Sequence, residues 1–485
     1  MRGLSDYFAA GKKLNFWAAA FSARATGESA WLLLGLTGMG AAVGTKAMWV
    51  VVGEVLGVAG GWLLLSRRFK RLTDRYDSLT IPDYLESRFQ DSSHLLRMIS
   101  AGALTIFVTI YVSAQIDATG TAFESFLGWN YFVGALVGFS IVMIYSTCGG
   151  FLAVVWSDIF QGTLMFFGLV LLPIYGLWLI GGIGELSDGL TLQDPMLLSL
   201  WGAEGFTIHT ILSIVAFVGI GAGFLGSPQV FVRFLALRSE DEIRKGALVA
   251  VAFTVLTDTG AVLLGMVGRY LLMGPGQEVE AVLGVGAQEV LPLYVETFLH
   301  PLLIGLVIAI VLSATMSTVD SLLVVASSAF VRDYYQKVKH PELSDQSLLS
   351  LSRKATLVLS FIALGVALTV AITTPDRTIF WFVIFGWSGI AATFCPTMVL
   401  SLFWSRFTRM GAMSAMLTGF LSVPFFKFIA PHIPGFGTYF EALEELVPAF
   451  LLSTIVGVLV SKLVPPCAED LANFERDILF ASDEK

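Results

Sequence analysis

The chain has 485 residues, of which 56% are hydrophobic and only 14% are charged, and its formal net charge is −8. A soluble protein of this length would carry about a quarter charged residues, whereas apolar runs of roughly 18 residues or more, each long enough to cross a bilayer, recur along this chain. The composition therefore excludes a soluble globular protein and predicts an all-α polytopic membrane protein.

Twelve spans are predicted from the apolar runs, and no stretch between them indicates a separate soluble domain. Residues 1–20 contain basic side chains but no signal-peptide cleavage pattern, and we expect a cytoplasmic amphipathic lead-in there. The tail at 465–485 is short and acidic. The predicted spans are 21–40, 46–66, 97–127, 131–147, 151–182, 207–232, 246–273, 300–331, 354–373, 379–404, 411–430 and 447–464.

The first span, FSARATGESAWLLLGLTGMG, is interrupted by polar and small residues. Residues 21–40 include Arg24, Glu28, two threonines, two serines and four glycines. Interruptions of this kind are tolerated in a membrane only where the segment faces protein or a wet cavity, and ionisable groups at membrane depth are usually functional. We therefore predict a discontinuous membrane helix that lines a binding site.

The fifth span carries a carboxylate, Asp158, about two turns after its start, with Gln161 a further turn along. The glycine pair Gly149 and Gly150 fits a turn that precedes this span. The carboxylate is compatible with a functional site at membrane depth and equally with an interfacial group that interacts with the helix dipole.

The sixth span is broken as well, in the sequence VGIGAGFLGSPQ from Val218 to Gln229. Glycine- or proline-broken segments at corresponding positions of two halves indicate an inverted-repeat transporter with its binding site near the midplane. On this basis residues 21–182 and 207–404 form two repeats of five spans each, and residues 411–464 add two further helices. The alternative is that these glycines serve close helix packing.

The eighth span contains a run of hydroxyl side chains in the segment SATMSTVDS. Ser317 and Ser321 are four residues apart and share a helical face with Ala314. Hydroxyls beside the freed carbonyls of a broken helix are the neutral oxygen ligands that a hard cation prefers. Alternatively, these hydroxyls bond back to their own helix.

Basic residues follow alternate spans, which sets the orientation of the chain. With residue 1 on the cytoplasmic side, the loops after the second, sixth, eighth and tenth spans are basic, and the opposite loops are acidic. Both termini are therefore expected in the cytoplasm, with the protein in the plasma membrane. The basic residues are Arg67, Arg68, Lys70, Arg71, Arg75, Arg233, Arg238, Arg244, Lys245, Arg332, Lys337, Lys339, Arg353, Lys354, Arg406 and Arg409.

Several classes of function find no support in the sequence. No paired nucleophile and base, metal-ligand cluster or phosphate loop appears, so an enzyme is not expected. The three cysteines match neither a disulfide framework nor a metal site, and no basic patch with interleaved aromatics indicates nucleic acid. The expected partners are a small-molecule substrate and the lipid bilayer, without an obligate protein partner.

Five segments together resemble the sodium:solute symporter family, in particular its PutP-type sodium/proline symporters. They follow one another in family order over nearly the whole chain, and their combination is specific although no single motif is. The resemblance implies a LeuT-type fold of 5+5 inverted repeats with about twelve transmembrane helices. The segments are Phe21–Gly38, Ser78–Phe89, Gly149–Gln161, Gly226–Phe234 and Ala314–Ala329.

The resemblance also implies ligands for the coupling ion, sodium. Carried over by position, the site shared by the family uses the backbone carbonyls of Ala25, Glu28 and Ala314 and the hydroxyls of Ser317 and Thr318. In some members a second sodium ion is bound by an aspartate at a second site. Here that site would combine Asp158 with Ser317 and Ser321, although Asp320 stands where such members often carry a hydroxyl, and a second ion is left open.

The chain departs from the proline symporters at several positions. The family commonly has one more N-terminal helix, which would precede residue 1. The aspartate that proline symporters carry in the first span falls at Gly27, and the aromatic pair of their proline pocket falls at Ile220 and Phe224. Arg24 can pair with Glu28 if that turn is helical, or it can face a substrate carboxylate.

These observations predict a sodium-coupled symporter that imports a small polar solute by alternating access, most readily proline or another amino acid. An organic acid or a sugar is the alternative substrate, and a non-transporting sensor or a channel on the same fold is the alternative class. Three other acids, Glu54, Asp117 and Asp258, are expected to pair with polar neighbours, with a proton relay as the alternative. The predicted substrate-binding residues are Glu28, Ser29, Trp31, Gln115, Phe224 and Pro228.

Overall fold

The computed structural model describes residues 10–146, 151–340 and 342–482, and the regular structure in these ranges is helical. The turn predicted at Gly149 and Gly150 lies outside the described residues. The α-helices are α1 Phe16–Ala30, α2 Thr37–Val43, α3 Met48–Gly60, α4 Ser66–Arg75, α5 Ile81–Phe89, α6 Leu95–Leu127, α7 Tyr131–Ser146, α8 Phe151–Ile180, α9 Ile183–Gln193, α10 Ile208–Gly219, α11 Pro228–Ala236, α12 Asp241–Leu272, α13 Val279–Leu283, α14 Val290–Phe298, α15 Pro301–Ser328, α16 Asp345–Thr373, α17 Ile379–Phe403, α18 Arg409–Phe428, α19 Gly437–Leu443, α20 Leu446–Leu463 and α21 Ala468–Ser482.

The number of spans agrees with the prediction. Within the described ranges, ten helical stretches are long and apolar enough to cross a membrane. The first of them, Phe16–Arg75, has 60 residues and is long enough for two crossings, and α7 is a shorter apolar helix. With these two additions the stretches account for the twelve predicted spans.

Both predicted helix breaks are present. At the end of α1, Ser29 has φ +48° and ψ −169°, outside the helical region, and a π-helical turn over Trp31–Leu36 then leads into α2. The sixth span is divided into α10 and α11 by a 3-10 turn over Ile220–Leu225 and by Gly226, which has an extended φ of 172°. Backbone carbonyls and N–H groups near each break are thereby released from the regular helical ladder.

The second span, α3, packs closely against the broken sixth span through glycines. A Cβ atom on Gly57 would lie 1.9 Å from the carbonyl oxygen of Gly221, and one on Gly53 would lie 2.3 Å from that of Val218. Only glycine permits such an approach between two backbones. The packing alternative for these glycines and the broken-helix prediction therefore both hold.

The helix α1 lies at the centre of the bundle. It packs against α8, α11, α12 and α15, and every residue from Ala19 to Ala30 is buried. Polar side chains on this helix therefore face protein rather than lipid, as expected for a span that lines a site.

Candidate functional site

Oxygen atoms from α1 and α15 converge where α1 ends. The Ser317 hydroxyl donates to the carbonyl oxygens of Ala25 and Ala314, each at 3.0 Å. The Thr318 hydroxyl donates to the carbonyl of Thr26 at 3.1 Å and to that of Ala314 at 3.3 Å. Four of the five predicted sodium ligands are thus in one cluster, and the Thr26 carbonyl is a fifth oxygen that the sequence analysis did not select.

The Thr26 carbonyl lies next to the break in α1. The N–H group of Ala30, which would normally bond to the carbonyl four residues earlier, donates instead to Oε1 of Gln115 at 3.2 Å. The Thr26 carbonyl is that earlier group, and it accepts the Thr318 hydroxyl from α15. Neutral carbonyl and hydroxyl oxygens in a buried position are the ligand type that suits a hard cation.

Glu28, the remaining predicted ligand, has other partners at its carbonyl and at its side chain. Its carbonyl accepts the backbone N–H of Trp31. In its side chain, Oε1 accepts bonds from Nη2 of Arg24 at 2.7 Å and from the Thr257 hydroxyl at 3.1 Å. Its roles as sodium ligand and as substrate ligand stay predictions.

The Arg24 guanidinium joins Glu28 to two further carboxylates. Nη2 of Arg24 lies 3.6 Å from Oε2 of Glu54 on α3 and 3.9 Å from Oδ1 of Asp258 on α12. All four side chains are at most 2% exposed. The structure therefore pairs Arg24 with Glu28, which is one of the two alternatives predicted. It also places two further acids within 4 Å of the same Arg24 nitrogen.

The third of the acids noted in the sequence, Asp117, also has neighbours. Its carboxylate accepts the Tyr131 hydroxyl at 2.6 Å and Nε of Arg377 at 2.9 Å. The expectation that these acids pair with polar groups is confirmed for Glu54, Asp117 and Asp258.

A narrow cavity, closed in this conformation and without room for a water molecule, lies beside the break in α1 and against the turn between α10 and α11. A solute can bind there only when these walls move apart. The one carboxylate of the cavity belongs to Glu54, and aromatic rings form much of the wall. The lining residues are Gly27, Trp31, Glu54, Tyr111, Ile220, Val383, Ile384 and Trp387.

Four of the lining residues were missed by the sequence analysis: Tyr111, Val383, Ile384 and Trp387. Tyr111 lies one turn before Gln115 on α6, so the same helical face could have indicated it. Trp387 lies on α17, where its indole N–H donates to the carbonyl of Ile220 at 2.9 Å and so binds the turn that breaks the sixth span.

The other predicted substrate residues differ in their positions. Nε2 of Gln115 donates to the hydroxyl of Ser29 at 3.2 Å, next to the lining residue Trp31. The ring of Phe224 is next to a lining residue, with its centroid 4.9 Å from that of Trp387. Pro228 lies instead in the wall of a separate, narrow cavity of about 20 Å³ with Thr80, Phe151 and Asp333, and its substrate role stays a prediction.

Asp158 contacts Arg233, a residue that the sequence analysis assigned to a loop. Asp158 and Ser321 lie close together, as predicted, but both contact the guanidinium of Arg233. The sequence analysis counted Arg233 with a basic cytoplasmic loop, and that assignment is wrong, because Arg233 lies within α11 and its side chain is 0% exposed. Its position inside the apolar segment VFVRFLA was the signal that could have indicated burial.

Comparison with known families identifies one match over most of the chain. The model of the Sodium:solute symporter family matches residues 7–419. This range includes both helix breaks and the hydroxyl-bearing part of α15.

Curated relatives cover nearly the whole sequence. The high-affinity proline transporter PutP of Bacillus subtilis is 34% identical over 446 residues, which are 89% of this chain and 90% of that protein. The osmoregulated proline transporter OpuE of the same organism is 32% identical, over 95% of this chain and 89% of its own length. The sodium/proline symporter of Escherichia coli is 31% identical, over 96% of this chain and 88% of its own length.

Solved structures share the fold at low sequence identity. The substrate-bound outward-open state of a Na⁺-coupled sialic acid symporter has a TM-score of 0.75 and 19% identity, over 96% of this chain and 92% of that chain. MhsT in complex with L-phenylalanine has a TM-score of 0.55 and 15% identity, over 92% of this chain and 97% of that chain. These neighbours are LeuT-fold transporters, so the predicted fold class is confirmed.

Proposed function

Because the chain belongs to the sodium:solute symporter family, we propose that it imports proline together with sodium by alternating access. The observation that carries this proposal is the cluster of buried neutral oxygens where α1 ends against α15, directly beside the small cavity. An ion and a solute bound there would contact the same broken helix. Proline as the substrate is supported by the curated relatives, which are named as proline transporters.

In this proposal sodium binds the carbonyls of Ala25 and Ala314 and the hydroxyls of Ser317 and Thr318. These four groups belong to two helices that are 292 residues apart in the chain at their points of contact. An ion held between α1 and α15 would fix the end of α1 and, with it, the wall of the cavity. Sodium then favours the state that binds substrate, which is the thermodynamic requirement for coupling.

The lining of the cavity supports a small amino acid with an apolar ring. The Glu54 carboxylate would pair with the positively charged imino group of proline, and the rings of Trp31, Tyr111 and Trp387 would contact its pyrrolidine ring. The carboxylate in the lining also argues against an organic acid as substrate, because two like charges would meet in a buried site.

The arrangement of the chain follows from the same proposal. Residues 21–182 and 207–404 would form the two inverted repeats, each opening with a broken span, with 411–464 added at the end. The breaks at Ser29 and Gly226 occur in the first span of each predicted repeat and so support this division.

We also propose that both termini are cytoplasmic and that the protein resides in the plasma membrane. Ion pairs bring the basic segments predicted to be cytoplasmic to one end of the bundle. Arg71 after the second span pairs with Glu240 after the sixth, and Arg75 pairs with Asp477 in the C-terminal tail. Arg409 after the tenth span pairs with Asp91, which follows α5.

The test is thermal unfolding of the purified protein with proline, in sodium and then in potassium. A ligand present at about 100 times its dissociation constant raises the free energy of unfolding by about 2.7 kcal/mol. We expect proline to raise the midpoint in sodium but not in potassium, and Glu54→Gln to remove this response. A sodium-dependent response to another solute but not to proline would refute proline as the substrate, and no sodium-dependent response to any solute would refute the symporter mechanism.

A matched control separates recognition from folding. Glu204 is a carboxylate in an external loop before the sixth span and does not line the cavity. Glu204→Gln removes the same charge and should leave the response to proline unchanged.

A further inference from the structure

The guanidinium of Arg233 lies in the centre of a buried oxygen cluster formed by α1, α8 and α15. Nη2 of Arg233 lies 3.0 Å from Oδ2 of Asp158, 2.8 Å from the Thr26 hydroxyl and 2.6 Å from the Ser321 hydroxyl. Nε donates to the Ser22 hydroxyl at 3.0 Å, and Nη1 donates to the carbonyl of Gln229 at 2.5 Å. The guanidinium is thus surrounded by one carboxylate and several neutral oxygens.

These oxygens, one carboxylate and several hydroxyls, are of the ligand type that suits a hard cation. One carboxylate with the hydroxyls of Ser22, Thr26 and Ser321 would supply four oxygen ligands to a hard cation. Asp158 and Ser321 are also the residues for which the sequence left a second sodium ion open. The side chains of Arg233 and Asp158 are both 0% exposed, so the cluster is separated from water.

The cluster already contains a positive charge, the guanidinium of Arg233, which is covalently part of the protein. The positive charge of Arg233 offsets the negative charge of Asp158, and an arginine remains charged at any physiological pH. The negative charge of Asp320 also attracts Arg233. A sodium ion entering this cluster would meet the guanidinium within hydrogen-bond distance of the same ligands, and repulsion between the two cations would oppose its binding.

We propose that Arg233 is a built-in cation that takes the place of a second sodium ion, so that this transporter moves one sodium ion per substrate. The inference rests on the proposed function, in which the other ion binds between Ala25, Ala314, Ser317 and Thr318. Arg233 is part of α11, the second half of the broken sixth span. Its bonds to α1, α8 and α15 therefore join that half-helix to the bundle without an ion taken from solution.

Two measurements on the wild-type protein test the number of ions. In proteoliposomes with the membrane potential clamped at zero, a tenfold sodium gradient should accumulate proline about tenfold if one ion is coupled, and about a hundredfold if two are. The dependence of thermal stability on sodium alone, without proline, should fit one bound ion. Accumulation near a hundredfold, or a fit that requires two ions, would overturn the inference.

Variants of Arg233 and Asp158 test the cause. Arg233→Gln removes the fixed cation and leaves the carboxylate with its hydroxyl neighbours, so we expect a second sodium ion to bind and the sodium dependence of stability to become steeper. Arg233→Gln combined with Asp158→Asn removes both charges and should return the protein to one ion. Arg233→Lys keeps the cation and should also bind one.

The outcomes separate this inference from the proposed function. If sodium stabilises the wild type as a single ion but proline has no effect, the substrate is wrong and the inference stands. If Arg233→Gln folds and still binds one ion, the built-in cation is not the reason for the stoichiometry and the inference fails. If that variant does not fold, the wild-type ion count and the double variant decide.

Discussion

Arg24 and Glu28, one helical turn apart on α1, form an ion pair inside a membrane-spanning segment, with Nη2 of Arg24 2.7 Å from Oε1 of Glu28. The same nitrogen lies within 4 Å of carboxylate oxygens of Glu54 and Asp258. One guanidinium therefore attracts three acids that belong to three different spans. This arrangement connects the wall of the cavity beside the break in α1, through Glu54, to α1 and α12.

Replacing the central cation should destabilise the protein strongly. Arg24→Leu leaves three buried carboxylates without their counter-charge, and breaking a buried ion pair by removing one partner typically costs about 3–5 kcal/mol. We expect a lower midpoint of thermal unfolding in detergent. Arg244→Leu, at an exposed arginine on α12, is the matched control. Equal midpoints for the two variants would show that the four-residue cluster does not stabilise the fold.

The hydroxyls of Ser317 and Thr318, which lie on α15 and contact the end of α1, should determine the affinity for sodium. Ser317→Ala and Thr318→Ala each remove one oxygen ligand, and a loss of about 1.4 kcal/mol in binding corresponds to a tenfold weaker affinity. We expect each variant to need about ten times more sodium for the same thermal stabilisation. The control is Ser327→Ala, since Ser327 is buried on the same helix but bonds only to Val324 of its own helix. If the two site variants titrate like this control, the ion binds elsewhere.

The sequence predicted the fold and the oxygen cluster between α1 and α15 better than the lining of the cavity. Apolar runs of sufficient length report the spans directly, and glycine or proline in an apolar run reports a break, as in Gly226 and Pro228. The hydroxyls of Ser317 and Thr318 were found because their motif and helical spacing are local properties. Each of these signals lies within one segment of the chain.

The features that were missed depend on contacts between distant segments. The Thr26 carbonyl is a ligand candidate because the bond of Ala30 goes to Gln115, 85 residues further along the chain. Arg233 was assigned to a loop because a basic residue near the end of a span usually marks the cytoplasmic side. Only the packing of α11 against α1 and α8 shows that its charge is matched by Asp158.

The approach between α3 and the broken sixth span should not tolerate a methyl group. In Gly57→Ala the new Cβ would lie 1.9 Å from the carbonyl oxygen of Gly221, so two backbones would have to separate. Overpacking of this kind typically costs about 1–3 kcal/mol. We expect a lower unfolding midpoint and slower sodium-dependent uptake. The control is Gly102→Ala on α6, where a Cβ meets nothing within 4 Å. Equal behaviour of the two variants would show that the contact is not close in the membrane.

The Asp83 carboxylate, in an ion-pair network at the end of the bundle opposite the acidic loops, should stabilise the fold at neutral pH and lose that contribution in acid. Asp83 on α5 receives Nη1 of Arg97 at 2.8 Å and Nη2 of Arg332 at 3.2 Å. Burial alone would raise the pKa of the Asp83 carboxyl, but Arg332 and Arg97 outweigh it and hold that pKa below its ordinary value.

A carboxyl whose pKa is lower in the folded state stabilises the fold above its unfolded pKa of about 3.9, and this contribution is lost as the pH falls through the folded value. Asp83→Asn should therefore lower the unfolding midpoint at neutral pH, and its difference from the wild type should shrink once the pH falls below about 4. Thermal unfolding in detergent across this range measures both effects. Asp77→Asn is the control, because the Asp77 side chain is 96% exposed and lies 3.9 Å from Lys12, its ion-pair partner. A difference between Asp83→Asn and the wild type that grows on acidification would contradict the assignment. The wild-type Asp83 would then stabilise the fold in its protonated form and not as a carboxylate paired with the two arginines.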